Sequence, residues 1–116
     1  MKPIIIKRIY EKASDKDGYR ILVDRIWPRG VSKDNAKLDE WKKEIAPSTE
    51  LRKWFDHKEK RFDAFVDKYK KELEEKKTEL QYIKNISKKQ QVCLLYGAKN
   101  EKYNQAVVLK EFLDNL

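Results

Sequence analysis

Histidine, cysteine and methionine occur once each in this chain, and glycine and proline three times each. A single cysteine, Cys93, cannot close an internal disulfide, which fits a reducing cytoplasmic setting. One histidine and one cysteine cannot supply the ligand sets that hold zinc, and no Gly-rich phosphate or dinucleotide fingerprint is present, so neither metal nor cofactor is expected. So little glycine and proline excludes collagen-like and low-complexity readings. Long apolar runs are missing too. The longest, such as Ile4-Ile5-Ile6 and Ala106-Val107-Val108-Leu109, fall far short of the ~20 residues that span a bilayer. No apolar leader opens the chain, and no membrane partner is expected.

What is present is charge. Of 116 residues, 41% are charged and 40% apolar, enough for one core and one domain over residues 1–116. The net charge is +8, with the excess in residues 1–37 and 81–102. Such a balance raises the prospect of a phosphate-bearing partner, nucleic acid included, because Lys and Arg displace condensed counterions. The plain alternative is lysine solvating a small domain.

Residues 3–10 are rich in β-branched side chains and read as a strand, Tyr19–Ile26 as a second, and Val92–Tyr96 as a buried third. Ser32 caps a helix expected to run to about Glu44, with Leu38, Trp41 and Ile45 on one face. Pro47 ends it, and Ser48 caps another helix carrying Leu51, Trp54 and Phe55. The longest helix is expected over about 61–80, and the last from Tyr103 or Asn104. Trp41, Trp54, Phe55, Phe62, Phe65 and Tyr69 fall at helical spacing and read as core. The order implies an α/β fold: a small, about three-stranded, mainly parallel sheet packed by four to five helices in two or three layers. The second and third strands, joined through helices, should be parallel. The first connection, about ten residues, leaves the direction of strand one open.

Chemistry concentrates at two strand ends. Val23-Asp24-Arg25-Ile26-Trp27-Pro28-Arg29-Gly30 places an acid and two guanidinium forks where open α/β sheets bind ligands. Tyr96-Gly97-Ala98-Lys99-Asn100, leading to Asn104, offers a glycine-bearing loop and a helix N-terminus. If both ends share an edge, Arg25, Arg29, Lys33, Tyr96, Lys99 and Asn104 are the candidate ligand-binding residues. Arg29, Lys33 and the N–H groups around Lys99–Asn104 are then expected to face one concavity. Asp24, Arg25 and the lone His57 are the candidate catalytic groups. Asp24 and Arg25 are expected to bond each other or nearby backbone. Cys93, mid-strand without a nearby His or second Cys, reads as inert core.

The segment Gly18–Lys33 resembles the hallmark of the short, YeaO-like branch of domain-of-unknown-function family 488. Leu38–Trp41, Ala46–His57, Leu95–Lys99 and Asn104–Leu109 resemble it as well, in order along nearly the whole chain. The resemblance implies an α/β fold, a bacterial or archaeal source and no defined reaction. It also marks Asp24, Arg25, Trp27, Arg29, Lys33, His57 and Asn104. Gly97 stands where the family pattern implies Ala, a small departure. The leading expectation is a binding site for a compact anionic, phosphate- or carboxylate-bearing ligand at the carboxyl edge, in an enzyme or a binding protein. A basic nucleic-acid-binding module and a protein-interaction subunit are the alternatives. Oligomeric state is not legible.

Overall fold

A computed structural model describes residues 3–116. Four strands form one all-parallel sheet: β1 (Ile4–Arg8), β2 (Tyr19–Leu22), β3 (Glu40–Trp41) and β4 (Val92–Tyr96), in the order β1-β4-β2-β3. Five helices complete it: α1 (Lys33–Ala36), α2 (Thr49–Phe55), α3 (Phe62–Glu74), α4 (Lys77–Ser87) and α5 (Gln105–Asp114). The α/β class and the parallel pairing of the Tyr19 and Val92 strands are as the sequence implies. Strand one proves parallel as well, flanking β4 on its other side.

β4 is central, and all five of its residues are buried. A strand covered on both faces has no solvent side, hence its unbroken Val-Cys-Leu-Leu-Tyr run. Val92, Leu94 and Tyr96 point into the larger core with α3, α4 and α5, while Cys93 and Leu95 point to a smaller cluster. Ala36, Trp27, Val31 and Leu38 close that second face. Burial pushes the Cys93 thiol up to about 11, so it stays protonated and inert. At the outer edge, the Arg8 N–H donates to Glu11 Oε2 and the Arg8 carbonyl accepts the Glu11 N–H.

The helix expected from Ser32 to Glu44 is corrected to one turn followed by a fourth strand. Ser32 does cap it, accepting the Asn35 N–H. Arg20 stops it. This buried guanidinium donates to the carbonyls of Ala36 and Lys37, which a continuing helix would need, and Lys37 turns left-handed at φ 47°. Asp39 then bonds β2 through both its N–H and its carboxylate, and Glu40–Trp41 pair with Ile21–Leu22. A second correction concerns the helix expected over 61–80. It breaks at Glu75–Lys76, where Glu74-Glu75-Lys76-Lys77 offers no apolar side chain to hold one straight helix on the core, and α4 runs on to Ser87. Third, Trp41 and Trp54 are 37% and 38% exposed rather than core. Trp41 follows the strand, not a helical face. Trp54 lies on the outer side of α2 with Arg61 and Lys68 over its ring. Phe55, Phe65 and Tyr69 are buried as expected.

Arg20 also pairs with Asp17, itself held by Lys7 and the Ser14 N–H. Burial raises the Asp17 carboxyl, but these partners outweigh it and the pKa lies below the usual range. Removing one member of a buried pair strands the other. Arg20→Ala or Asp17→Ala should therefore lower urea-unfolding stability by about 3–5 kcal/mol. A loss under about 1 kcal/mol would show that the cluster does not hold this face together.

Candidate functional site

Beyond Leu22 the chain leaves the sheet, and Asp24 becomes the tie between its strand ends. One carboxylate oxygen accepts the Gly97 N–H at 2.9 Å, just past β4; the other accepts Gln105 Nε2 from the first turn of α5. The Asp24 carbonyl accepts Trp41 Nε1 at 2.7 Å, and Trp41 meets Trp27 edge to face. The contacts join residues 73 and 81 positions apart. Gly97 is what lets Asp24 in. An added Cβ there would lie 2.8 Å from Asp24 Oδ2 and 3.4 Å from Pro28 Cβ, so a side chain at this position would crowd the carboxylate.

Arg25 points elsewhere. Its Nε donates to Pro47 O at 2.8 Å and Nη2 to Ala46 O at 3.1 Å, and it does not bond Asp24. It lines a concavity of about 300 Å³ with Ile45, Ala46 and Ser48 on one wall and Tyr69, Glu72, Leu73, Glu75 and Lys76 of α3 and its end on the other. Ser48, capping α2, gives its N–H and hydroxyl to Glu72, which fixes the two walls together. The Tyr69 hydroxyl donates to Ile45 O at 2.6 Å from full burial.

The remaining candidates are dispersed. Arg29 and Lys33 are exposed on the segment whose Trp27, Val31 and Ala36 cover the smaller core, while α5 packs on the larger one. The Arg29 carbonyl accepts the Tyr10 hydroxyl, and the Arg8 guanidinium stacks on Tyr10 and donates to Ala98 O. Lys99 is exposed. Asn104 is 1% exposed and caps α5 by accepting the Val107 N–H. Asn100 takes the Lys102 and Tyr103 N–H groups, so this loop closes largely on itself. Tyr96 is buried, and its hydroxyl pKa is raised by burial and by Glu101 and Glu11. None of these residues lines the Arg25 concavity. His57 is exposed in a left-handed turn after α2, its ring 6.4 Å from Phe55, and bonds neither Asp24 nor Arg25.

Sequence reasoning missed Gln105 and Arg52. Gln105 carries a signal, standing at the first position after a cap. Arg52 carries none, yet its Nε is the one buried side-chain polar atom without a hydrogen-bond partner among the described residues. Its charge bears on Asp24.

Burial raises the Asp24 carboxyl to about 6 against the opposing pull of Gly97, Gln105 and Arg52. A carboxyl whose pKa rises on folding favours the folded state most when protonated. Its contribution is full below pH ~4 and is lost as pH climbs through 6. For a partly exposed group this amounts to about 2 kcal/mol. Asp17, Glu40 and Glu44, with lowered pKa values, act oppositely. Urea unfolding of Asp24→Asn beside the parent chain isolates the term: the parent should gain on the variant as pH falls from 7 to 4. Parallel curves would show that the carboxyl does not titrate there.

Comparison with known proteins bears on all of this. The family described as "Inactive DUF488-N3 subclade" matches residues 3–116. The protein named Uncharacterized protein YeaO, from Escherichia coli (strain K12), is 49% identical over 110 residues, covering 95% of this chain and 96% of its own length. The Mycobacterium tuberculosis (strain ATCC 25618 / H37Rv) protein named Uncharacterized protein Rv3073c is 36% identical over 109 residues, 94% of this chain and 92% of its own. No solved structure matches. With a family match across nearly every residue and relatives that align end to end, the chain belongs to the DUF488 family, within its DUF488-N3 inactive subclade.

Proposed function

We propose that this protein binds a compact carboxylate- or phosphate-bearing molecule in the concavity beside Arg25, as a binding protein without catalytic turnover. One observation carries the reading. Of the six candidate ligand-binding residues, Arg25 is the one that lines the concavity between Ala46 and α3, and two backbone carbonyls hold its guanidinium in place. A guanidinium has five N–H donors; two serve those carbonyls and three are left to bind an anion. Because the fork is already oriented, little rotamer entropy is lost on binding. The site lies just past the carboxyl end of β2, the side of an α/β sheet where ligands gather.

The non-catalytic part of the reading draws on Asp24 and His57. A general base needs a free lone pair within reach of a substrate proton. Neither Asp24 nor His57 lines the concavity: the Asp24 carboxylate is turned to Gly97 and Gln105, and His57 is exposed after α2. The word "inactive" in the family's description agrees with this.

Ligand-induced thermal shift provides the test, with sodium phosphate and sodium butyrate against sodium chloride at equal ionic strength. The melting temperature should rise in the parent chain and in an Arg29→Ala, Lys33→Ala double variant, and the rise should vanish in Arg25→Lys. A rise lost in the double variant but kept in Arg25→Lys would move the site to the outer loop. No rise at all would end the proposal.

A further inference from the structure

The concavity beside Arg25 holds charge of both signs over an apolar floor. Arg25 is held by the Ala46 and Pro47 carbonyls, next to Ile45, whose carbonyl takes the Tyr69 hydroxyl, while Glu75 and Lys76 stand just past the last turn of α3. Glu75 stands six positions after Tyr69, about 9 Å along the axis at 1.5 Å per residue. Ile45, Ala46 and Leu73, all nearly fully buried, line the same concavity.

The two acids on this wall differ. Glu72 already accepts the Ser48 N–H and hydroxyl. Glu75 forms no ion pair within 4 Å among the described residues, and it stands at the C-terminus of α3, where the helix dipole adds negative potential. Lys76 beside it is also unpaired, and its flexible stem lets the ammonium turn outward to water. A simple anion would meet Arg25 but leave Glu75 unanswered.

We infer that the preferred ligand is a compact zwitterion whose carboxylate and ammonium are separated by an apolar spacer, the class of ω-amino acids and small dipeptides. Its carboxylate meets the Arg25 fork, its ammonium faces Glu75 at the end of α3, and its spacer spans the groove between them. The inference rests on the Arg25 reading and adds a second, cation-facing pole to the same site.

Isothermal titration with 5-aminopentanoate, pentanoate, pentylamine and leucine separates the two poles. The first should bind about tenfold more tightly than pentanoate, the gain of one charge-assisted contact. Pentylamine and leucine, which reach one pole or present both charges on one carbon, should bind more weakly than 5-aminopentanoate. Glu75→Gln, an exposed change that leaves the core untouched, should erase the advantage over pentanoate while pentanoate binding stays constant. Arg25→Lys should weaken both ligands. Pentanoate binding as tightly as 5-aminopentanoate, an advantage that survives Glu75→Gln, or leucine binding more tightly would overturn the zwitterion and leave the anion site standing. Failure of all four to bind would overturn the zwitterion, and the anion site would then stand or fall on its response to phosphate.

Discussion

A single guanidinium organises one whole face of this protein. Arg20 lies on β2, is 4% exposed, and reaches across the smaller core to the carbonyls at the end of α1 while pairing with Asp17 behind it. A buried charge must be matched almost completely or it costs several kcal/mol. Here the matching groups come from three places: the turn before β2, the helix end at Ala36–Lys37, and, through Asp17, Lys7 of β1. Each is drawn in because Arg20 cannot be left uncompensated. The short helix, the left-handed Lys37 and the β3 strand follow from that demand.

Asp24 plays the corresponding part at the carboxyl edge. Where Arg20 gathers carbonyls, Asp24 gathers N–H donors from the β4 end and the start of α5. The two differ in surroundings. Asp17 beside Arg20 has cationic partners in contact, and its pKa falls; Asp24 has amide partners and a more distant arginine, and burial dominates. Opposite shifts in two aspartates of one strand region thus trace to what each carboxylate touches. With Asp24 engaged in this way, the Arg25 concavity lies off the strand tip, in the groove between Ala46 and α3.

Local chemistry made much of the fold legible. Val92–Tyr96 announces a doubly covered strand by its unbroken apolar run, and Ser32, Ser48 and Asn104 all cap helices as their residue types require. Elements set by distant residues were not legible. Glu40–Trp41 has no strand signature of its own, since its pairing follows from Arg20, some twenty positions earlier in the chain. The same holds for the site. Arg25 stood out as a guanidinium after a strand, but the wall opposite it belongs to α3, joined through Ser48 and Glu72, 24 positions apart. Arg29, Lys33 and Asn104 looked convergent because both strand ends share an edge; Arg29 and Lys33 lie exposed on the segment over the smaller core, while Asn104 is buried as the cap of α5.

The contact between Arg8 and Glu11 bears on how molecules of this protein meet one another. β1 is an outer strand, and alternate backbone groups along it point away from β4, where another molecule's strand could add itself. Ile9 donates inward to Tyr96, whereas Arg8 donates outward, to Glu11. By the same alternation the N–H groups of Ile4 and Ile6 point outward too, while the Ile4 side chain is buried in the larger core. Glu11 closes the end of that row on both its donor and its acceptor and places a carboxylate there, shortening the open edge to little more than two residues. A row that short offers a foreign strand too few hydrogen bonds to hold, so one glutamate outside the sheet helps keep a sticky edge from seeding aggregation.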